Sequence, residues 1–160
     1  MRASIRHATA EDGEAIARLT SQLGYDVPAR DAAARIGRIA ARSDQQFLIA
    51  EADGRPVAWV HAAIGDYMEA EPFVVIAGLV VERAHRRQGI ACMLMERVEA
   101  WAMEQGCSTV RLTSSAARTG AHRFYEALGY RNIKTQYSFA KSLDAARAGD
   151  IRRFVPRVDE

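Results

Sequence analysis

The sequence predicts an α/β fold, a mixed and mostly antiparallel sheet flanked by helices, and three observations predict it. Two β-patterned runs within "QFLIAEADGRPVAWVHAAIGD" meet at Asp53-Gly54, a turn signal that joins antiparallel neighbours. "PFVVIAGLVVE" is a nearly continuous apolar, β-branched run of the kind expected in a central strand covered on both faces. From Gly89 to about Gly106 the apolar residues Ile90, Leu94, Val98 and Trp101 recur at helical spacing, and "STVRLTSS" then returns to a strand pattern.

The remaining elements follow in chain order. "SIRHAT" alternates like a strand, and "TAEDGEAIARLTSQLG" reads as a helix capped by Thr9, acidic in its first turn and stopped by Gly24. "PARDAAARIGRIAARSD" is a second helix with Pro28 in its first turn. Gly78, inside the central apolar run, predicts a bulge or a point of close approach. After "STVRLTSS", "GAHRFYEALG" reads as a short helix ended by Gly129, and "NIKTQYSFAKSL" as a last strand with polar alternation. Residues 1–143 are expected to form one domain and 144–160 a tail whose order the pattern does not fix. The chain has no internal repeat and no low-complexity segment.

A domain of 160 residues buries roughly two thirds of its unfolded surface without help from metals or disulfides. Its 22 basic and 20 acidic side chains leave a formal net charge of +2, which argues against a nucleic-acid partner; any anion site must be local. Cys92 and Cys107 match neither a paired metal-ligand spacing nor a disulfide framework, and His7, His61, His85 and His122 show no ligand or triad spacing, so no metal is expected. The N-terminus lacks an apolar leader and no apolar run reaches the roughly 18 residues that span a bilayer, so the expectation is a soluble, cytoplasmic protein without a membrane partner.

"HRRQGIA" concentrates positive charge where a helix begins. A helix that starts at a glycine offers unpaired N–H groups and the positive end of its dipole to an anion. Gly89 permits close backbone approach, Ala91 keeps the next amide uncovered, and Arg86 and Arg87 add charge-assisted hydrogen bonds. The absence of a Lys-Ser/Thr pair excludes a P-loop, and the absence of three spaced glycines excludes a dinucleotide fingerprint.

The order of strand, "RRQGIA" loop, long helix, strand and "AHRFYEALGY" helix resembles the GCN5-related N-acetyltransferase (GNAT) superfamily over residues 73–142, with weaker similarity toward the N-terminus. Arg86-Arg87-Gln88-Gly89-Ile90-Ala91 fits every fixed position of that family's pyrophosphate-binding pattern. The resemblance implies the acyl-CoA N-acyltransferase fold, acetyl-CoA as cosubstrate, and acetyl transfer to a primary amine by direct attack in a ternary complex. It implies that the backbone of Leu79, Val80 and Val81 holds the pantetheine arm. It also implies that Tyr125 protonates the CoA thiolate. A non-catalytic acyl-CoA-binding regulatory module is the rival reading.

The chemistry also needs a neutral amine. For a lysine-like acceptor, deprotonation at pH 7 costs about 4.6 kcal/mol, so a base or a water chain is expected. The strand positions where some relatives place a glutamate are apolar here, around Val74 to Ile76. Glu69 and Glu71, just before the strand, are the candidate bases, with Glu82 at its far end. Ser114, Ser115 and Arg118 lie where relatives often contact the cofactor, although the usual Asn is missing. "GDYMEAEPF" crowds Asp66, Glu69 and Glu71 beside Tyr67 and Phe73, an acidic, aromatic rim that favours a cationic acceptor, a small molecule or a peptide. A homodimer is common among such relatives.

Overall fold

The computed structural model describes residues 3–150 and 155–156, so parts of the expected tail, residues 151–154 and 157–160, lie outside the described residues. The chain divides into two compact units, Met1–Thr113 and Ser114–Glu160.

The first unit is a five-stranded sheet in the order β1-β2-β3-β4-β5, with β1 at Ala3–His7, β2 at Gln45–Ala52, β3 at Arg55–Gly65, β4 at Phe73–Val81 and β5 at Val110–Leu112. The first four strands pair antiparallel, and β5 joins β4 in parallel, so the sheet is mixed and mostly antiparallel as the sequence predicts. Asp53 and Gly54 both take positive φ, 52° and 75°, which matches the twist of a two-residue hairpin between β2 and β3.

Helix α1 (Gly13–Ser21) follows a short 3-10 turn, and α2 (Ala29–Ala40) follows a loop; Pro28 caps α2 from outside rather than sitting in its first turn. On their face of the sheet, Ile16, Leu19, Ala32 and Ile36 bury against Ile49, Trp59 and Val80. Burial at about 25 cal/mol per Å² of apolar surface is the main force holding this layer. Helix α3 (Ile90–Glu104) packs on β2, β3 and β4, and the four residues that set its predicted stripe, Ile90, Leu94, Val98 and Trp101, are all buried. It is the crossover that parallel pairing of β4 with β5 requires.

Salt links tie the N-terminal strand to this frame. Asp12 accepts from the Thr9 N–H at 2.8 Å and from both terminal nitrogens of Arg6, whose Nε donates to Glu51 at 2.9 Å. Thr9 therefore starts the first helical turn through the side chain three residues on.

The second unit holds α4 (Thr119–Ala127) and a 3-10 turn at Ala145–Arg147. The predicted last strand, "NIKTQYSFAKSL", pairs with no strand among the described residues. Period-two patterning specifies a strand only where a neighbouring edge takes up its hydrogen bonds. Among the described residues no helix is long and apolar enough to cross a membrane.

Candidate active site

Strand β4 changes character halfway along. Val74, Val75 and Ile76 pair with β5 on one side and β3 on the other. Beyond Ile76 the partnership with β5 ends, and Gly78 to Val81 are laddered to β3 alone. The register skips at this point, because His61 faces Gly78 while Ala62 faces Ile76, leaving Ala77 as an extra residue. A bulge sharpens the local twist and bends the strand, which parts β4 from its parallel neighbour. In the middle of a covered sheet, Ala77 is exposed and Leu79 and Val81 are only half-buried. The result is a strand edge that pairs with no second strand among the described residues, the kind of edge to which an extended, amide-bearing chain can add.

Gly78 explains part of this geometry. A Cβ at that position would lie 2.7 Å from the ring of Trp59, so the close approach inferred from the sequence is made by an indole. Phe47 stacks on Trp59 at 5.2 Å and on His61 at 5.4 Å, completing an aromatic row beside the bulge. Burial pushes the His61 imidazole below its ordinary value, so the ring stays neutral at pH 7, and its Nε2 meets Gln45 Oε1 at 2.8 Å.

The open half of β4 runs into the arginine-rich loop. Gly89 occupies the N-cap of α3 with φ 81°, and a Cβ there would meet nothing within 4 Å. The first amide to find an acceptor is that of Met93, on Gly89 O at 3.1 Å, so the amides of Ile90, Ala91 and Cys92 have no intrahelical partner. Arg87 also takes a positive φ, 61°, with no turn of the hairpin type to require it. A left-handed non-glycine residue costs about 1–2 kcal/mol, and such strain concentrates at ligand sites. Arg86 Nε donates to Val81 O at 3.1 Å, which fixes the guanidinium against the end of β4; Gln88 Nε2 donates back to Ala84 O at 3.3 Å. Arg86, Arg87, Gln88 and Gly89 are exposed and Ala91 half-buried, whereas Ile90 is buried, so only its backbone faces an anion.

Glu82, at the junction of β4 and the loop, is not available as a base. It is 8% exposed and receives Arg18, Arg55 (2.6 Å) and His85 Nδ1 (2.8 Å). Burial pushes its carboxyl up, and the two arginines with His85 more than reverse this, leaving it below the ordinary range. Its part is to anchor α1, the hairpin and the arginine-rich loop to one another, a role the sequence pattern did not disclose.

The acidic rim also needs correction. Phe73 is buried, with Tyr67 edge-on at 5.1 Å and the Arg111 guanidinium 3.9 Å above its ring. Its π-face is therefore already occupied, and only Tyr67 presents an exposed aromatic surface. Asp66, Glu69 and Glu71 are exposed, and none has an ion pair among the described residues. No cluster among the described residues would hold a metal ion.

In the second unit Tyr125 lies on α4, half-buried, edge-on to Phe124 at 5.1 Å and to Tyr130 at 5.8 Å. Burial raises its phenol above the ordinary value, against a smaller opposing pull from Arg118, so the O–H remains a donor throughout the physiological range. His122 Nε2 lies 2.9 Å from Ser115 O, and Ser114 Oγ is buried without a hydrogen-bond partner among the described residues.

Comparison with known proteins gives a consistent result. Residues 5–130 match the profile of the Acetyltransferase (GNAT) family. The chain is similar to an aminoglycoside N(6')-acetyltransferase type 1 of Serratia marcescens, 31% identical over 61% of this chain and 69% of that protein. The corresponding protein of Acinetobacter haemolyticus is 29% identical over 61% of this chain and 70% of its own length. Among solved structures, an aminoglycoside 6'-N-acetyltransferase bound to the bisubstrate analogue CoA-S-monomethyl-acetylneamine superposes with a TM-score of 0.79 at 25% identity, covering 89% of this chain and 99% of that one.

Proposed function

The chain belongs to the acetyltransferase (GNAT) family and is an acetyl-CoA-dependent N-acetyltransferase acting on amines, and from that premise we propose that its acceptor is a cationic amine of the aminoglycoside or polyamine class. The observation that carries the acetyl-CoA half is the one-sided ladder of Gly78 to Val81 running directly into the Gly89 helix start. Leu79, Val80 and Val81 offer strand-like hydrogen bonds to the amides of the pantetheine arm. Arg86, Arg87, Gln88 and the amides from Gly89 to Ala91 then meet the pyrophosphate at the positive end of α3.

Held in this way, the thioester is attacked directly by the neutral amine in a ternary complex. The nitrogen lone pair adds to the carbonyl carbon, and collapse of the tetrahedral intermediate breaks the C–S bond. Glu71 or Glu69, exposed and unpaired among the described residues, takes the ammonium proton directly or through water, and Tyr125 supplies a proton to the leaving sulfur. The same carboxylates, with Asp66, favour a cationic acceptor over an anionic one. Reduced thiols at Cys92 and Cys107 accord with a cytoplasmic enzyme, and homodimerisation is part of the same reading.

A panel of amines, with free CoA followed during the reaction and the acetylated product identified by mass spectrometry, tests the acceptor. Turnover with aminoglycosides or polyamines, and little with glutamate-like amines, is the expected result; preference for an anionic acceptor contradicts it. Tyr125→Phe is expected to lower kcat by about 10²–10⁴ with little change in the KM for acetyl-CoA, since its hydrogen bond strengthens only as charge grows on sulfur. A loss of twofold or less, with chemistry rate-limiting, returns Tyr125 to packing.

A further inference from the structure

Acylating an ammonium removes two protons from its nitrogen. The first is lost to make the amine a nucleophile; once the N–C bond forms, the nitrogen is cationic again and sheds a second proton before the amide is complete. The second loss takes place at the thioester. With the pantetheine arm running along Leu79 to Val81 away from Gly89, the thioester lies at the bulge, beside Ala77 and Gly78. Glu69 and Glu71 precede Phe73 at the other end of β4, and five residues at about 3.3 Å each put that end roughly 16 Å from Gly78. Strand β4 itself carries no titratable side chain, and β3 carries two: Arg55, which Glu82 holds at 2.6 Å, and His61.

His61 stands at the bulge. It is the ladder partner of Gly78, so their Cα atoms are about 5 Å apart and the imidazole shares the face of the sheet on which a Gly78 side chain would lie. Val75, paired with Ala63, is on the same face by parity, so the apolar end of β4 leaves this face to His61. The ring is half-buried and stacks on Phe47 at 5.4 Å. An amide oxygen only accepts, so Nε2, 2.8 Å from Gln45 Oε1, carries the proton of the neutral ring and Nδ1 keeps the lone pair. That nitrogen has no hydrogen-bond partner among the described residues. Burial alone lowers the pKa of the ring, with no charged group of β2, β4, α1 or α2 adding to it, and an unprotonated ring at pH 7 is what a base requires.

We propose that His61 is a further catalytic residue, the base that takes the second proton from the attacking nitrogen, with Gln45 as its positioning residue. The inference rests on the amine-acetylation reading and on acetyl-CoA lying along the open half of β4. The lone pair of the neutral amine forms the N–C bond, and the carbonyl π pair moves to oxygen. Nδ1 of His61 then takes an N–H proton, directly or through one water, which leaves the nitrogen neutral. The oxygen pair re-forms the carbonyl, the C–S bond breaks with its electrons going to sulfur, and the thiolate takes its proton from Tyr125. The imidazolium returns the proton it gained to water. Gln45 fixes the tautomer that leaves Nδ1 free, and Phe47 fixes the plane of the ring.

The full chain is assayed at saturating acetyl-CoA with neamine, or with the best amine of the panel, across about pH 5 to 8. His61→Gln is expected to lower kcat by about 10²–10⁴ at pH 8, with circular dichroism and acetyl-CoA affinity unchanged. The ratio of wild-type to variant kcat cancels the ionisation of the amine. It is expected to fall as pH drops through the folded pKa of His61, which burial places below the ordinary 6.5, because the protonated ring has no lone pair to offer. Gln45→Ala is expected to lose about tenfold in kcat, the equivalent of one hydrogen bond, and to leave the KM for acetyl-CoA alone. Should His61→Gln fail to fold, NMR titration of the wild-type ring in the CoA complex takes its place, and the midpoint must coincide with a break in the wild-type kcat profile. A loss of twofold or less with chemistry rate-limiting, a ratio flat with pH, or a ring that titrates away from any break overturns the assignment and leaves amine acetylation standing. A wild type that acetylates no amine of the panel overturns both.

Discussion

The two halves of β4 share a composition and differ in what they pair with. Val74 to Ile76 sit between two strands, with Val74 and Ile76 buried and Phe73, just before them, buried as well. Gly78 to Val81 have one partner strand, an exposed Ala77 before them and the arginine loop after. An apolar, β-branched run reads as one central strand, yet a single extra residue at the bulge divides it into a structural half and a half with an available edge. In this fold the candidate cofactor edge lies where a strand pairing ends early.

The largest effect is expected at the end of the open half. Gly89→Val places a β-branched residue at φ 81°, where no protein atom lies within 4 Å of the new Cβ, so packing is spared. The strain costs about 1–2 kcal/mol of stability. Acetyl-CoA affinity is expected to fall on the order of 100-fold, the equivalent of two charge-assisted hydrogen bonds at about 1.5 kcal/mol each. Calorimetry on the folded variant reads the loss, and Arg86→Ala is expected to give the partial version, about tenfold. Unchanged affinity in both variants means that the arginine-rich loop does not hold the pyrophosphate.

Glu82 is the junction's structural carboxylate. Glu82→Gln is expected to cost about 1–2 kcal/mol of stability at pH 7, read by denaturant unfolding. The folded carboxyl lies below its ordinary value of 4.5, so its contribution is present above that pH and is lost as pH falls through the lower, folded value. The gap between wild type and variant should therefore close only below about pH 4.5. A gap that is flat across this range means the carboxylate is not what Arg18, Arg55 and His85 hold.

The smallest effect belongs to the exposed acids. Changing Glu69 and Glu71 together to Gln is expected to raise the acceptor KM a few-fold and leave acetyl-CoA affinity alone. Added salt should reproduce part of the effect, since exposed charges are screened over roughly 8–10 Å. An unchanged acceptor KM means that the rim solubilises the loop and does nothing more.

What the sequence disclosed follows the same division. Local signals were legible: the Asp53-Gly54 hairpin, the α3 stripe and its start at Gly89 each depend on neighbours within a few residues. The family pattern was legible for the same reason, being six consecutive residues. Gly78 announced a close approach but not its partner, because Trp59 arrives from another strand. Phe73, read as a presented aromatic, is buried under Arg111, and Glu82 gathers cations from α1, β3 and the loop. Such contacts are set by tertiary placement, which periodicity does not encode. The segment from 131 to 141 kept its strand pattern and found no strand partner among the described residues.

The most direct test of the divided strand is hydrogen exchange of the enzyme with and without saturating CoA, resolved to single amides by NMR. CoA is expected to slow exchange at Leu79 to Val81 and at Gly89 to Cys92 while Val74 to Ile76, already paired on both sides, hold their rates. Protection equal along the whole of β4, or binding that leaves 79–81 and 89–92 unchanged, would contradict it.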